Sequence, residues 1–435
     1  MNETQRHLTD GFHRLTRLER LMRVQELCGL DDDDIQILSG ERPLPFSVAE
    51  HLIENVVGYF PLPLGVATGF TIDGRDLLIP MAVEETSIIA AASATAKWIR
   101  RDGSIRTHAK GSLIIGQVQL PSVRDVAHAR AVLHERRDYL MGYANDRLPG
   151  LIKRGGGVRD LSVREIGRPD DTGTMLVIHI YCDPCDAMGA NLINQVCEAL
   201  KDPVEQLTGE KVGLCILSNL VDTRLVAAEV VLRNIEPATG RGIQEAAIFA
   251  QADPYRAATH NKGVLNGIDP ILIATGNDWR AVEAGVHAYA ARSGKYQPVT
   301  DWRVEGTDLI GRIEVPMAVG TVGGVTRLHP TAGVALKMLG VSRAEELARI
   351  CAAVGLVQNL GALKALATVG IVKGHMQLHA ANLAIAAGAE IHEIPEVRKR
   401  LTEILRVEKQ INLTHAREIL EAIRVAGSSR SNSLS

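Results

Sequence analysis

The chain has 435 residues, of which 46% are hydrophobic and 23% charged, a balance typical of a globular protein with two or three domains. Its formal net charge of −3 excludes the broad basic surface that binds nucleic acid or an anionic membrane, although a local anion pocket stays open. No apolar run approaches the ~18 to 20 residues of a membrane span, and the charged N-terminus lacks a signal peptide's apolar core. The six cysteines are too sparse for a disulfide scaffold. These features predict a soluble, cytoplasmic protein without nucleic-acid or membrane partners.

A β-hairpin and a helix are predicted after a helical N-terminal segment. Asp73-Gly74 between two apolar runs is a hairpin signal. The second strand ends on Glu84-Glu85, and Thr86 or Ser87 then begins the helix Ile88 to Ile99. Two carboxylates at a strand-to-helix junction favour chemistry there, although an ordinary match to the helix dipole also explains them.

The segment from about 110 to 220 is predicted to form a separate unit. The β-branched alternation from Ile105 to Leu120 indicates strand structure, and a charged helix is expected from Val123 to Asn145. The strand-like Met175 to Tyr181 leads through the turn Cys182 to Asn191 into an amphipathic helix. A strand, a small-residue turn and a helix N-terminus present backbone N–H groups to phosphate, but there is no G-x-G-x-x-G dinucleotide fingerprint.

A lysine and an aspartate flank a short apolar run in the next part of the chain. Lys262 lies in a Gly- and Asn-rich stretch that we interpret as a loop. The run Ile271 to Ala274 is predicted to be a short buried strand, and Asn277 or Asp278 to cap the helix Trp279 to Arg292. Such a strand would aim polar side chains into a cleft, although a solvated loop lysine and a plain helix cap explain the same residues.

A glycine-rich turn and Ala-rich helices follow. The predicted strand Val315 to Val319 leads into Gly320 to Gly324, a second place where the backbone can approach a phosphate or a nicotinamide closely. The helices after it are predicted at residues 331–339, 343–354 and 359–369. A charged amphipathic tail from 395 to 424 suits a mobile lid.

Two spacings in the sequence resemble those of metal ligands. Cys182 and Cys185 form C-x-x-C, but a zinc site needs a second pair at matching spacing. His375 and His379 are four residues apart and can share a helix face, but no glutamate lies between them as H-E-x-x-H requires. No metal site is therefore predicted.

Six short motifs occur in the same order as in a known family. They are Glu54-Asn55-Val56-Val57-Gly58, Val83-Glu84-Glu85-Thr86-Ser87, Asp186-Ala187-Met188-Gly189-Ala190-Asn191, His260-Asn261-Lys262-Gly263, Gly276-Asn277-Asp278-Trp279-Arg280 and Gly374-His375-Met376. In this combination the sequence resembles the 3-hydroxy-3-methylglutaryl-coenzyme A reductases, and within them the soluble class II branch of bacteria and archaea. The resemblance covers roughly residues 10 to 425.

The resemblance implies a four-electron reduction. (S)-3-hydroxy-3-methylglutaryl-coenzyme A would be reduced by two NAD(P)H, through a mevaldyl-coenzyme A hemithioacetal and mevaldehyde, to (R)-mevalonate and free coenzyme A. Lys262 would stabilise the carbonyl oxyanion, Glu85 would deliver a proton to that oxygen, and Asp278 would hydrogen-bond both. His375 would protonate the departing thiolate.

The resemblance also implies binding residues. The substrate-binding residues are Glu54, Ser87, Arg256, Asn266 and His379. The cofactor-binding residues are Asp186, Met188, Gly189, Asn191, Gly320, Gly323 and Gly324. The glycines of this set fit a backbone-lined dinucleotide site, which agrees with the missing G-x-G-x-x-G.

The fold implied by the resemblance is α+β. A large mixed substrate-binding and dimerisation domain (1–109 and 221–375) would carry an inserted ferredoxin-like dinucleotide-binding domain (110–220). A helical flap (376–428) and a disordered tail (429–435) would follow. In this family the active site lies between two subunits, so we expect a homodimer, which can assemble further.

The residues ahead of the glycine triplet bear on cofactor preference. NADH-using relatives can place an acidic residue ahead of the glycine triplet 155–157, where this chain has Leu148, with Asp146 two residues earlier. Arg147, Lys153 and Arg154 are close enough in sequence to meet a 2′-phosphate. The pattern favours NADPH or use of both cofactors.

Three alternatives stay open at this point. The same enzyme can work as a degradative mevalonate dehydrogenase, because a catalyst accelerates both directions. A non-catalytic acyl-coenzyme A binding protein of this fold would be expected to lack a catalytic residue, whereas all four are present. A zinc hydrolase would use His375 and His379.

Overall fold

The computed structural model describes residue 9 and residues 11–368, 380–408 and 410–431. Its strands are β1 (Leu64–Ile72), β2 (Arg75–Ala82), β3 (Gly103–Lys110), β4 (Ile114–Leu120), β5 (Gly157–Gly167), β6 (Thr174–Asp183), β7 (Cys215–Ser218), β8 (Leu225–Leu232), β9 (Thr300–Glu305) and β10 (Asp308–Pro316). Its first helices are α1 (Arg17–Cys28), α2 (Asp32–Ser39), α3 (Phe46–Leu52), α4 (Ile88–Asp102), α5 (Val126–Glu135), α6 (Arg137–Asn145), α7 (Pro149–Lys153), α8 (Ala190–Ala199) and α9 (Lys201–Thr208). The later helices are α10 (Pro237–Ala252), α11 (Pro254–Ala274), α12 (Trp279–Ala290), α13 (Gly324–Leu328), α14 (Pro330–Leu339), α15 (Ala344–Ala367), α16 (Ile394–Glu408) and α17 (Leu413–Ser431).

The larger sheet has six strands in the order β2-β1-β3-β8-β10-β9. Strands β1 and β2 form the hairpin predicted from Asp73-Gly74, and both turn residues have positive φ, as a tight two-residue turn requires. β1 and β3 are parallel, and the other neighbours are antiparallel. β10 ends at Pro316, before the predicted Val319, because its partner β8 begins opposite at Leu225.

The helix α15 runs through the core beneath this sheet. It packs against α4, α10, α11 and β8, and most of its side chains are buried. It is one helix where the sequence predicted two, because Gly355 does not interrupt the helix but makes room for Ile268 of α11. It is also long and apolar enough to cross a membrane, although the sequence predicted no membrane span. However, 67% of its most apolar 18-residue stretch is buried inside the protein.

The helix α11 corrects two predictions around Lys262. The stretch around this lysine is not a loop and Ile271 to Ala274 is not a strand, because both lie in a single helix of 21 residues. Pro270 and several glycines weaken the local helical pattern. Gly267 faces α15 so closely that a Cβ there would lie 2.7 Å from the Val354 carbonyl oxygen. Packing against the core helix therefore outweighs the low local helix propensity.

The second sheet is built from residues 114–218 and has a core of its own. Its order is β5-β6-β4-β7 and all its pairs are antiparallel. Helices connect β4 to β5 and β6 to β7, so the connectivity is the ferredoxin-like β-α-β-β-α-β that the resemblance implied. The charged helix predicted over 123–145 is divided into α5 and α6 at Arg136.

The last described residues form a third body of helices. Residues 380–386, α16 and α17 bury a separate apolar cluster. Its buried members are Ala380, Leu383, Ala384, Val397, Leu401, Ile411, Ala416, Ile419 and Leu420. This part of the tail is therefore helical, as predicted, and has its own small core.

Candidate active site

A lysine and a glutamate from distant parts of the chain form an ion pair. Lys262 Nζ lies 3.0 Å from Glu85 Oε2. Lys262 stands on the third turn of α11, and Glu85 lies in the turn between β2 and α4. Their side chains are 62% and 40% exposed, so both remain accessible to a ligand. An accessible cation beside a carboxyl group is suited to a carbonyl oxygen that gains charge and then a proton.

Glu85 lines a cavity of about 930 Å³. The cavity floor includes Glu84 to Ser87, and its walls carry the basic side chains Arg17, Arg20 and Lys97. Asn382, from the C-terminal helices, reaches the same cavity. The lining therefore combines the Glu85 carboxyl group with basic side chains that suit an anionic ligand.

Ser87 begins the helix α4, as predicted, but not by a side-chain cap. Its φ of 75° lies in the left-handed region, which is uncommon for a residue other than glycine. The Ser87 hydroxyl donates to the neighbouring Thr86 carbonyl oxygen. Such conformations concentrate at functional sites, where the surrounding structure maintains them.

Asp278 is the N-cap of α12. Its Oδ1 accepts the Ala281 N–H at 3.1 Å, and Arg280 Nε approaches the same oxygen at 3.5 Å. In the part of the chain that the structure describes, this carboxylate does not bridge Lys262 and Glu85, because the cap turns it toward its own helix. The ion pair of the site is formed by Lys262 and Glu85 alone.

Two further predicted residues share the helix of Lys262. Asn266 lies on the same face of the helix as Lys262 because it follows that residue by four positions, and its side chain is half-buried. Arg256 lies in the first turn of α11, and burial lowers the pKa of its guanidinium. Between them His260 is buried and bonds Thr300 Oγ1 at 2.6 Å, which makes it part of the scaffold.

The two predicted cofactor stretches lie side by side. The Thr321 N–H donates to the Asp186 carbonyl at 2.9 Å. A Cβ on Gly320 would lie 2.6 Å from the Met188 nitrogen, so only glycine allows this approach. Gly189 has φ 99° and begins α8, where Asn191 is exposed. Gly323 and Gly324 open onto free space at the start of α13, with no atom near the position of an added Cβ.

The sequence did not identify two residues, Asn277 and Arg224, that hold the turn of Gly320 in place. Asn277, considered only as a helix cap, exchanges two hydrogen bonds with Gly320, at 2.8 and 3.1 Å. Arg224 is buried and donates to backbone carbonyls of both cofactor stretches. The amide beside Asp278 was a signal for the first residue, but an isolated arginine directly before β8 gives no signal for the second.

The remaining predicted residues are Glu54, His375 and His379. Glu54 is exposed, and the structure gives it no contact with Glu85 or Lys262. His375 and His379 lie outside the described residues. The predicted site is therefore only partly assembled within the described part of one chain.

No metal centre is found in the described ranges. No group of three or more His, Cys, Asp or Glu side chains is gathered there. Cys182 is buried, which raises the pKa of its thiol to about 12, and Cys185 has a raised pKa for the same reason. Both are free thiols.

The fold and site define a class before any comparison. A two-sheet α+β protein pairs an accessible lysine with a glutamate, and its two predicted cofactor stretches meet through glycine outside a Rossmann fold. This is the class of α+β oxidoreductases that act on a carbonyl group. The sequence profile described as hydroxymethylglutaryl-coenzyme A reductase matches residues 16–380. The chain belongs to the hydroxymethylglutaryl-coenzyme A reductase family.

Individual relatives agree with this assignment. A 3-hydroxy-3-methylglutaryl-coenzyme A reductase of Archaeoglobus fulgidus is 47% identical over 421 residues, which cover 95% of this chain and 94% of that protein. A probable 3-hydroxy-3-methylglutaryl-coenzyme A reductase of Borreliella burgdorferi is 33% identical over 380 residues, which cover 86% of this chain and 85% of that protein. A solved class II reductase of Streptococcus pneumoniae bound to NADPH is 39% identical, with a TM-score of 0.80 over 83% of this chain and 100% of that one. Another structure of the reductase from the same organism has a TM-score of 0.81 and covers 95% of this chain and 99% of that one. The class II type and the α+β fold predicted from the sequence are confirmed.

Proposed function

We propose that this protein reduces (S)-3-hydroxy-3-methylglutaryl-coenzyme A to (R)-mevalonate and coenzyme A, with two equivalents of NAD(P)H. The observation that carries the proposal is the 3.0 Å pair of Lys262 and Glu85. It places a cation beside a carboxyl group in a chain of this family. The name of the Archaeoglobus relative supports the substrate, and the NADPH in the Streptococcus structure supports the cofactor.

Lys262 and Glu85 serve both reductions. In each one a carbonyl carbon gains a hydride from the nicotinamide, and the carbonyl oxygen gains a proton. The Lys262 ammonium group stabilises the negative charge that develops on the oxygen of the thioester and then of mevaldehyde. Glu85, beside it, delivers the proton, and Asp278 is proposed to join them when substrate is bound.

The carbon–sulfur bond breaks between the two reductions. As the hemithioacetal collapses to mevaldehyde, its hydroxyl group returns the proton to Glu85, and the sulfur leaves as a thiolate that can add back. A proton on that sulfur prevents the return, and His375 is the residue we propose to donate it. This role rests on the sequence resemblance, because His375 lies outside the described residues.

The substrate spans the cavity beside Glu85. Arg256 is proposed to hold the free carboxylate of the glutaryl group, and Ser87 and Asn266 the hydroxyl end. Arg17 and Arg20, which line the same cavity, are suited to the coenzyme A phosphates. Glu54 and His379 complete the binding set in this proposal, from a second subunit and from the flap respectively.

The glycine-lined cradle fits a dinucleotide. Gly189 begins α8, whose N-terminal N–H groups suit a phosphate, and Gly323 and Gly324 leave room for the nicotinamide end, while Gly320 lets its turn approach the Met188 backbone. Asp186, Met188 and Asn191 border the same space in this proposal. Arg147, Lys153 and Arg154 favour a 2′-phosphate, so NADPH or dual use is expected.

The domain boundaries are proposed to follow the three largest apolar cores of the described residues. The large domain would comprise 1–109 and 221–375, the dinucleotide domain 110–220 and the flap 376–428. The tail was predicted from 429, although α17 continues to Ser431. The separate cores of the second sheet and of the C-terminal helices support this division. A cytoplasmic location remains a prediction from the sequence.

A homodimer is proposed to complete the site. The segment after α3 exposes large apolar side chains, among them Val57 and Phe60, which are 101% and 91% exposed. Contiguous exposed apolar residues of this size mark a protein interface. Glu54 lies in the same segment, so a partner docked there would receive a carboxylate from this chain.

A direct assay tests the proposal. Purified protein would be given the hydroxymethylglutaryl thioester with NADH and NADPH in parallel, while reduced nicotinamide and released thiol are followed. We expect two reduced cofactors consumed per coenzyme A released, with NADPH at least as effective as NADH. The Lys262→Ala variant should lose roughly 10²- to 10³-fold in kcat.

Lys211→Ala is the control for charge removal. Lys211 pairs with Glu205 at 3.1 Å on the surface of the second sheet's unit, so its loss should leave turnover unchanged. A folded protein that oxidises neither cofactor would contradict the proposal. Thioester binding without turnover would instead favour the acyl-coenzyme A binding alternative.

A further inference from the structure

A compact network of hydrogen bonds connects four separate segments behind the cofactor stretches. The segments are 186–188, the residue Arg224, the loop 275–278 and the turn 317–321. They come from different parts of the chain, and Asp278 ends one of them. Their contacts therefore decide how the cradle is placed relative to the reacting groups.

Asn277 fixes the turn to the loop of Asp278. Its Oδ1 accepts the Gly320 N–H at 2.8 Å, and its Nδ2 donates to the Gly320 carbonyl at 3.1 Å. The Asn277 backbone N–H in turn donates to the Leu272 carbonyl at 2.8 Å, at the end of α11. A rigid path thus runs from the cofactor turn to the helix that carries Lys262.

Arg224 fixes the two cofactor stretches to each other. It is 7% exposed and donates to the carbonyls of Ala187 (3.3 Å), Met188 (3.5 Å) and Val319 (2.8 Å). A buried guanidinium offers five donors, so it can satisfy several carbonyls that would otherwise be unpaired.

Asp186 anchors the same assembly to the core. Its backbone carbonyl accepts the Thr321 N–H at 2.9 Å, and its Oδ1 accepts the Ala344 N–H at 2.9 Å, at the start of α15. One oxygen of this side chain therefore holds the start of α15, in addition to the cofactor role predicted for the residue.

We propose that Asn277 and Arg224 are positioning residues, which hold the Gly320 turn against the Asp186–Gly189 loop and against Asp278. The inference rests on the proposed function, and it deepens that function by naming the link between cofactor site and reacting groups. When a dinucleotide occupies the turn, the two hydrogen bonds of Asn277 keep Asp278 and α11 in place for hydride transfer. Neither residue needs to touch the cofactor for this role.

The test compares binding with turnover in Asn277→Ala. Two lost hydrogen bonds should weaken NADPH binding roughly 10-fold, measured by cofactor fluorescence without substrate. The variant should also lose about 10-fold in kcat, while KM for the thioester changes less than twofold. Asn277→Asp keeps the acceptor for the Gly320 N–H but repels its carbonyl, so it should fall near the alanine variant.

Gln244→Ala is the matched control. Gln244 also accepts a backbone N–H, from Val304 at 2.7 Å, but at the edge strand of the large sheet. It should bind NADPH and turn over as wild type does. For Arg224, the Lys variant keeps the charge and part of the carbonyl contacts, so its NADPH affinity should lie between those of wild type and Arg224→Met.

The outcomes separate the inference from the function it rests on. A wild type without turnover would contradict the proposed reductase, whatever the variants do. If the wild type is active and Asn277→Ala has the same NADPH affinity and the same kcat as the wild type, the positioning role is overturned. Should the Arg224 variants fail to fold, the Asn277 series alone still decides between these results.

Discussion

Glu84 and Glu85 are adjacent carboxylates in one cavity, but their surroundings differ. Both line the space beside α4, whereas the 3.0 Å contact with Lys262 belongs to Glu85. Glu85→Gln keeps the shape and removes the proton, so kcat should fall by about 10²- to 10⁴-fold. Glu84→Gln should retain turnover within a few-fold in the same steady-state assay. Equal losses in the two variants would show that the cavity's charge, not a proton donor, is what matters.

His260 sets a pH dependence of stability. It is buried against Thr300 and Asn359, and burial, with the nearby Arg256, lowers the pKa of its imidazole to about 4. Because the unfolded chain binds a proton near pH 6.5 and the folded one does not, stability should be full above that pH and fall as the pH drops toward about 4.

Urea unfolding of His260→Gln at neutral and acidic pH checks this sign. The variant should lose less stability than wild type when the pH is lowered from 7 to 5, although its hydrogen bonds make it weaker at neutral pH. The exposed His287→Gln should keep the wild-type pH dependence. A steeper acid loss in His260→Gln would be the opposite of what burial requires.

At the level of residues, the sequence was most informative where a motif carries the chemistry. The sequence predicted Glu85, Lys262 and the two glycine-containing stretches as site residues. In the structure Glu85 contacts Lys262, and the two stretches contact each other. Their catalytic and binding roles stay predictions. The role of Arg224 could not be predicted from the sequence, because its partners are backbone carbonyl groups, which every residue has.

Two helices cross where both have glycine. Gly267 of α11 and Gly355 of α15 lie at the contact, and a Cβ on Gly267 would lie 2.7 Å from the Val354 carbonyl oxygen. Because that atom is backbone, Gly267→Ala must push the helices apart, and it should destabilise the protein by ~1–3 kcal/mol. A displaced α11 should also lower kcat, since it carries Lys262.

Gly333→Ala is the control substitution. Gly333 lies inside α14 with no atom within 4 Å of an added Cβ, so alanine there should stabilise by ~0.5–1 kcal/mol. Denaturant unfolding of both variants measures the contrast. Similar free energies for the two would show that the crossing can relax.

The errors in α11 and α15 have one cause. The sequence predicted a loop and a strand where α11 runs, and two helices where α15 runs, because glycines and Pro270 look like interruptions. In the folded chain these small residues are the places of closest approach between the two helices. Local patterns do not show what a glycine faces, whereas the Asp73-Gly74 hairpin was predictable because its geometry is local.

The whole molecule is expected to work as a dimer. Phe60→Ser and Val57→Asp alter the exposed apolar segment beside Glu54, so each should shift the protein toward monomer and lower turnover together. Sedimentation and activity, measured at the same concentrations, check this. Leu214→Ser changes another exposed apolar residue, on the second sheet's unit, and should stay dimeric and active.

Mixing experiments sharpen that prediction. If Glu54 serves the site of the partner, an inactive Glu54→Gln protein and an inactive Lys262→Ala protein should regain part of the activity when refolded together. No recovery from a mixed population of dimers would place both residues in one subunit's site.

The ferredoxin-like connectivity of the second sheet followed from the resemblance and is confirmed. Composition and periodicity alone could not have given it. Strand order depends on which chain segments meet in space, and residues 114–218 show no period that specifies their neighbours. The same limit applies to the cavity wall of Arg17 and Arg20, which only the folded N-terminal helix brings to Glu85.

The separate core of the C-terminal helices bears on how heat would inactivate the protein. Units of this size gain only about 3–5 kcal/mol from a single apolar core, so the body that begins at Ala380 is expected to melt before the sheets do. The residue proposed to protonate the thiolate lies just ahead of it in the chain. Turnover would then decline at a temperature where calorimetry still finds most of the molecule intact, and the optimum temperature of the enzyme would report the stability of this C-terminal core.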